Sequence, residues 1–542
     1  MKVLLTALSA KHIHKSLAPW CLKAYCDVHL STCQVIVQEH TVNDHVGDIV
    51  AALFEERPDV VGFSCYIWNM EQVSKVATML KKCLPKCTVV LGGPEVSFES
   101  DCSAYLFADF IVQGAGEAAF AGLIESIMCG DRPRTRLIPA WDDPEFDALP
   151  SPYTAAFNRS FAEGRMRSIA NQLVYYESAR GCPFSCSYCL SSTGCGVKEL
   201  SLDRVFSEIT ALLGHGATCI KFVDRTFNAN KGRASAILQH ILSLDTECTF
   251  HFEVAADLFD PKLLRLIASM PAQRVQFEIG IQSLHPATLA EIDRCMDTES
   301  ALQNIRTLTS FGNCHIHVDL IAGLPFDTLE SIAKGIDACI ETRPQMLQLG
   351  LLKLLKGTKI RKTSGAYGYV YNDFPPYEVV QNNGLHFEDI IRLKRIEAIL
   401  DKFYNSGRFL HTVRYAIDQV FQSAYAFFDA FADFCKGENL SVSPKQAYTM
   451  LFRFLCEYMD QATAEHYIKL DCFTFHTKNV LPDGIATDRD KAAEYTFKRS
   501  VQPYYRDVRI TFFDHDQQTR AFIYDEKSKI DQAYKVIVLP QA

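Results

Sequence analysis

Glu177-Ser178-Ala179-Arg180-Gly181-Cys182-Pro183-Phe184-Ser185-Cys186-Ser187-Tyr188-Cys189 sets three cysteines in CxxxCxxC spacing directly after an apolar, strand-like run at 173–176. Three thiolates this close in one loop can ligate three irons of a cubane cluster and leave the fourth iron open to a small molecule. Iron–sulfur clusters are held by Cys thiolates, usually four, so the missing fourth is informative. A zinc site short of one ligand, or a set of buried thiols, would use the same residues. Structural zinc, however, takes pairs of CxxC, or a CxxC with two histidines, and neither lies near.

Working outward, 542 residues suggest about three domains at ~150 residues each. Apolar content of 48% and charged content of 22% are those of a globular protein that buries its cores without disulfides. The opening MKVLLTALSAKHIHK has no proper charged n-region or cleavage site, and no run approaches ~18 apolar residues. A soluble, cytoplasmic protein with no membrane span is expected. The 20 cysteines are scattered, as buried thiols in a reducing compartment would be. A net charge of −9 disfavours a wholly basic nucleic-acid surface.

Residues 1–130 alternate short apolar runs with helical patterns. Strands are expected at 2–8, 33–37, 59–64, 87–91 and 109–112, rich in Val, Ile and Leu without period-two alternation, as buried parallel strands are. Helical spacing at 46–54 and 71–84 completes a doubly wound, Rossmann-like α/β unit whose ligand should sit beyond the strand C-termini. Three loops stand out there: Ser64-Cys65-Tyr66-Ile67-Trp68-Asn69, Gly92-Gly93-Pro94-Glu95 and Gln113-Gly114-Ala115-Gly116-Glu117. Their glycines permit close backbone approach to a ligand, although tight turns in a structural domain use glycine in the same way.

Residues 131–167, rich in Pro, Asp and Arg, read as a traversing linker. A second alternation fills 168–360, with strands expected at 172–177, 219–223, 249–254, 275–281, 315–321 and 346–352. A helix starting at an N-cap Asp203 carries the apolar stripe Val205, Phe206, Ile209, Leu212 and Leu213. Six such units fit an open, partial parallel barrel with its chemistry at the strand C-termini. The cluster loop lies on that face, as do Asp224, Arg225, Asn228, Glu253, Glu278, Gln282, Ser283, Asp319, Gly323-Leu324-Pro325 and Lys353. Each carboxylate could equally be a cap or a supporting ion pair. Beyond the barrel, 361–542 reads as mostly helical (385–404, 413–434, 444–458), with strands at 508–513, 520–524 and 534–539. The stripe Phe421, Tyr425, Phe428 and Phe431 is expected in its core.

The CxxxCxxC stretch, with Tyr188 before the last cysteine, resembles the signature of the radical S-adenosylmethionine (SAM) enzymes. The order of parts, with Leu91-Gly92-Gly93-Pro94 and Val112-x-Gly114-x-Gly116-Glu117, resembles their cobalamin-binding branch, specifically the subgroup with an extra C-terminal domain of unassigned function. Ala115 stands where an acidic residue is usual. The resemblance implies a [4Fe-4S] cluster on Cys182, Cys186 and Cys189, SAM on its open iron, and reductive cleavage to a 5′-deoxyadenosyl radical fed by an external donor such as flavodoxin or ferredoxin. It implies SAM contacts from Tyr188, Asp224, Glu278, Gln282, Ser283, Gly323 and Pro325, and cobalamin contacts from Ser64, Tyr66, Trp68, Gly92, Gly93, Gly114 and Glu117. Phe222-Val223-Asp224-Arg225 replaces the commoner Gly-Gly-Glu, which leaves the role of Asp224 open. None of His12, His14, His29 and His45 sits in a DxHxxG pattern, so a histidine of that motif is not expected to hold the lower face of cobalamin, and a residue of the Cys65–Asn69 loop, with Tyr66 or Trp68 nearest in sequence, is expected to shield it. Cys195 could reach the cluster edge or be an incidental thiol.

The implied activity is methyl transfer through methylcobalamin to an unactivated carbon. Cyclisation, oxidation or ring contraction with the same cofactors, and a non-catalytic cobalamin or redox sensor, stay open. So does the substrate: a small molecule, peptide, lipid or tetrapyrrole.

Overall fold

The computed structural model describes residues 1–98, 102–140, 144–164, 166, 168–194, 196–500, 505–528 and 530–540, so Cys195 and parts of the expected linker lie outside the described residues. The chain divides into two compact units. One is Met1–Ser269, Ala290–Cys295 and Leu352–Val380; the other is Met270–Leu289, Met296–Leu351 and Gln381–Ala542.

In the first unit the five expected N-terminal strands form at Lys2–Ser9, Gln34–Thr41, Val60–Ser64, Thr88–Gly92 and Phe110–Val112, all parallel. Their lack of alternation has a direct cause. On Lys2–Ser9, Leu4 and Leu8 pack with Ile49, Leu53 and Val73 on one face, while Val3 and Leu5 pack with Cys26, Phe120 and Ile124 on the other. Both faces are buried, so apolar residues dominate on both, with Thr6 the buried polar exception in mid-strand. Strand Lys2–Ser9 lies between Gln34–Thr41 and Val60–Ser64, which makes it the point where strand order reverses and a crevice opens at the C-terminal ends.

The expected linker is more than a traverse. Leu137–Ile138 pairs in parallel with Ile111 and Val112 as a further edge strand, and Phe157–Ala162 is helical. Short polar sequence hides such pieces because two paired residues leave no periodicity.

A second parallel set in the same unit runs His14–Lys15, Leu173–Tyr176, Cys219–Phe222, Thr249–Val254. Its first member was not foreseen: after the opening strand the chain crosses over and pairs with the strand that feeds the cysteine loop. Helix Leu202–Gly214 starts from Ser201, with Asp203 in its first turn, so the N-cap lies two residues earlier than expected.

In the second unit Val275–Gln282, His315–Ala322 and Met346–Leu351 run parallel where strands were expected. Helices then dominate, ending in the antiparallel sheet Val508–Phe513, Gln518–Lys527 and Tyr534–Leu539. The expected helix 413–434 breaks at Gln422, which takes φ 56°, and Ser423 caps a new helix, Ala424–Phe434, by accepting from Ala426 N. That break rotates the aromatic stripe. Phe427, Phe428 and Phe431 are the buried rings, whereas Tyr425 is only half-buried, with Arg392 over its ring. Helices Gln461–Phe475 and Lys491–Ser500 were not anticipated. Among the described residues no helix is long and apolar enough to cross a membrane.

Candidate active site

The cysteine loop is held from several directions. Asp224, 3% exposed, accepts through Oδ1 from the backbone N–H of Ser178 (2.7 Å) and of Ala179 (3.0 Å), and through Oδ2 from Ser178 Oγ (2.5 Å). Burial pushes its carboxyl up to about 6 against those three donors. Its oxygens therefore serve the turn ahead of the cysteines. Ser187, between the last two cysteines, donates its N–H to Ile292 O and accepts at its carbonyl from Ile360 N, both at 2.9 Å. Gly181 takes φ 100°, and a Cβ there would run into Gly196 O. That position needs glycine.

Cys186 is buried, and Cys182 and Cys189 are half-buried. Burial pushes the Cys186 thiol up, and the neighbouring Arg294 guanidinium pulls it back. Arg294 Nη1 lies 3.6 Å from Cys186 Sγ and 3.3 Å from Tyr188 Oη, while Thr226 Oγ1 lies 3.7 Å from Cys182 Sγ. Three soft thiolate donors beside a fixed cation suit an anionic iron–sulfur cluster. Arg294 gives no motif signal, being far from the cysteines in sequence.

All seven residues expected to meet cobalamin line one cavity of about 810 Å³ in the first unit: Ser64, Tyr66, Trp68, Gly92, Gly93, Gly114 and Glu117. Tyr66 and Trp68 stack with ring centres 4.3 Å apart. Buried Asn69 fixes their loop, donating to Leu8 O (3.1 Å) and Ser64 O (2.9 Å) and accepting from Tyr66 N (2.8 Å). Gly93 takes φ 107°, where a Cβ would sit 2.7 Å from Cys65 O, and Gly114 takes φ 74°. Both positions need glycine for their left-handed backbone, and at Gly93 also for its close packing on Cys65, so the loops lining the cavity have one fixed shape. The far wall was only partly foreseen. It comprises His14, Tyr175, Glu177, Arg180, Lys221, Arg225 and Glu253. His14 Nδ1 and Tyr175 Oη are 2.8 Å apart, and burial, then Lys11 and Lys221, hold the imidazole below its usual range.

The remaining expected SAM contacts lie in the second unit. Gln282, at the end of its strand, takes φ 68°, and its buried Oε1 has no hydrogen-bond partner among the described residues. Glu278 pairs in register with His317, whose Nε2 is 2.9 Å from Asp319 Oδ1. Ser283 Oγ donates to Asp327 Oδ1 at 3.3 Å. Gly323 and Pro325 offer carbonyls to Asn382 Nδ2 (3.0 Å) and Thr288 Oγ1 (2.8 Å). Asp327, 1% exposed and overlooked in the sequence, ties this loop together, with burial pushing its carboxyl up to about 7. Asn228 bridges to both backbone groups of Ala255, and Lys353 forms a backbone bridge with Glu378, so these two act as scaffold.

Comparison with known proteins gives three family matches: a B12 binding domain at residues 3–124, the radical SAM superfamily at 176–339, and a protein family of unknown function (DUF4080) at 365–528. The chain is 27% identical over 336 residues to the 2-(S-pantetheinyl)-carbapenam-3-carboxylate methyltransferase of Streptantibioticus cattleyicolor, covering 55% of this chain and 47% of that protein. It is 27% identical over 327 residues to the cobalamin-dependent radical SAM methyltransferase TokK of Streptomyces tokunonensis, covering 52% and 45%. These matches span less than half of either relative. The solved structure of the cobalamin-dependent SAM radical enzyme OxsB with aqua-cobalamin superposes with a TM-score of 0.60 at 13% identity, over 87% of this chain and 79% of that one, which shows a shared fold.

Proposed function

We propose that this chain, which joins a B12-binding domain to a radical SAM domain and ends in the DUF4080 segment, is an enzyme that methylates an unactivated carbon of an organic substrate. The observation that carries the reading is the shared cavity. The loops of the doubly wound sheet form one wall, and Tyr175, Glu177 and Arg180, on the segment running into the cysteine loop, form the other. A cofactor seated on the first wall is thereby placed beside the chain that presents Cys182.

When bound, the cluster with SAM supplies a carbon-centred radical and the cobalamin supplies a methyl group. The chain does the rest. Cys182, Cys186 and Cys189 would hold the cluster by three thiolates, Arg294 would balance their charge, and the Asp224 turn fixes the loop. Tyr188, Gln282, Ser283 and the Gly323–Pro325 loop are the proposed SAM contacts, with Glu278 near its ribose or carboxylate. The loops carrying glycines 92, 93 and 114 and the Tyr66–Trp68 pair, which line one cavity, would hold the cobalamin. The proposed working boundaries are 1–130 for cobalamin, 131–167 for the linker, 168–360 for SAM and 361–542 for the remainder. An external one-electron donor and a reducing, cytoplasmic setting complete the proposal, in keeping with the free cysteines among the described residues.

The test needs no substrate. Protein reconstituted anaerobically with cluster and cobalamin is given reductant and SAM carrying a labelled methyl group. S-adenosylhomocysteine together with labelled methylcobalamin is the expected result. Cobalamin binding without methyl loading would turn the reading to non-methylating radical chemistry, and no SAM binding at all would favour a sensor. Serine at any one of the three cysteines should abolish SAM cleavage.

A further inference from the structure

Arg180 stands two residues before Cys182, and its guanidinium is gripped from three sides. Nε donates to Glu177 Oε1 at 3.1 Å, and Nη2 donates to Glu177 Oε2 and to Glu117 Oε1, both at 2.8 Å. The guanidinium carbon lies 4.8 Å from the ring centre of Phe146. Glu117 opens helix Glu117–Met128, directly after the Gly114-Ala115-Gly116 turn on the cobalamin side of the cavity. Glu177 follows the strand Leu173–Tyr176 that leads into the cysteine loop. The side chains of Glu117, Glu177 and Arg180 are only 8%, 20% and 26% exposed.

This arrangement restricts what either loop can do. A planar guanidinium shared by two carboxylates fixes distance and angle together, which a lysine or a water cannot reproduce. If the Gly114–Glu117 turn shifts to seat a ligand, Glu117 must carry Arg180 with it or leave a buried charge unpaired. The motion then reaches the backbone two residues from Cys182. The reverse path is the same: ordering the cysteine loop on its irons fixes Arg180 and, through it, the N-terminus of the helix.

We propose that Arg180 is a positioning residue that couples the two cofactor sites, so that filling the cluster site changes the affinity for cobalamin, and the reverse by the same factor. The inference rests on the cobalamin and cluster assignments above and adds a thermodynamic link between them. Glu117 accordingly acts as the receiving end of that link, with its carboxylate turned to Arg180.

Hydroxocobalamin titrations of the full-length protein, followed by absorbance, test this with the cluster absent and with it reconstituted. The wild type should show affinities that differ at least fivefold between the two states, the lower end of the roughly 5–150-fold usual for coupled sites. In Arg180→Lys and Glu117→Gln the difference should fall within about twofold while iron content is retained. Should Arg180→Lys fail to fold, Glu117→Gln decides alone, because it leaves the Arg180–Glu177 pair in place and loosens only the link to the helix. Equal affinity in both wild-type states, or an undiminished difference in both variants, would overturn the coupling. No hydroxocobalamin binding by the wild type in either state would overturn the cobalamin assignment and the coupling with it.

Discussion

Removal of the Asp224 carboxylate should loosen the cysteine loop by an amount the structure allows one to work out. Three donors converge on this side chain: the N–H groups of Ser178 and Ala179, and Ser178 Oγ. Asp224→Ala leaves the buried N–H of Ser178, at about 1–3 kcal/mol, and the half-buried N–H of Ala179, at less, without this acceptor. Allowing for relaxation, a local loss of about 3 kcal/mol corresponds to amide exchange roughly 100-fold faster at 178–179. Asp224→Asn behaves differently, since its amide oxygen can still accept from both N–H groups and its NH2 can meet Ser178 Oγ. The charge itself carries a penalty. A carboxyl raised from 3.8 to about 6 is costlier to bury ionised by about 3 kcal/mol. The sign follows from proton binding. Between those values the folded loop holds more protons than the unfolded chain, so stability is greatest below about 4, falls as pH rises through 6, and is flat above. Hydrogen exchange of apo protein, read on peptides covering 173–189 from pH 5 to 8 and corrected for intrinsic rates, is the assay. The alanine variant should lose protection at every pH, and the asparagine variant should match or exceed the wild type at pH 8 with a flatter profile. Equal loss in both variants would show that the charge, and not the hydrogen bonds, holds the turn, and would refute the reasoning.

Other perturbations reach the other residues named above. Asp327 is raised to about 7 chiefly by burial, so the Gly323–Asp327 loop should weaken as pH climbs from about 4 through 7. SAM affinity by calorimetry should therefore be higher at pH 6 than at pH 8 and flat in Asp327→Asn; a flat wild-type curve would contradict this. Gly93→Ala puts a Cβ 2.7 Å from Cys65 O at φ 107°, a conflict worth about 1–3 kcal/mol, so hydroxocobalamin binding should weaken about tenfold or more. Gly122→Ala, whose Cβ meets nothing within 4 Å, is the control that should bind normally. Arg294→Met takes a cation from beside Cys186, and the cluster's midpoint potential, followed by EPR-monitored titration, should move to more negative values. An unchanged potential would place Arg294 outside the cluster's field.

Much of this could be read from the sequence because the signals were local. Strands such as Lys2–Ser9 pack apolar residues on both faces, and that shows as a run without period-two alternation. The cysteine spacing and the Gly92-Gly93 and Gly114 turns are each contained in a few residues. The links between these pieces could not be read. Asp224 reaches Ser178 across 46 positions, Arg180 reaches Glu117 across 63, and Arg294 reaches Cys186 across 108. A side chain that finds its partner through the fold leaves no period in the sequence. The rotated stripe has a similar origin. One left-handed residue, Gln422, restarts the helix and exchanges Tyr425 for Phe427 in the core.

The crossing of His14–Lys15 to the strand Leu173–Tyr176 bears on how the protein is made. His14 meets Tyr175, 161 positions later, and both line the cavity that the N-terminal loops begin. At ~5–20 residues per second, roughly 8–30 s of translation separate the emergence of these partners. Until then His14–Lys15 lacks the strand it pairs with in the folded protein. The cavity's lining, which runs from Leu5 to Glu253, is therefore complete only after the strand that leads into the cysteine loop has emerged.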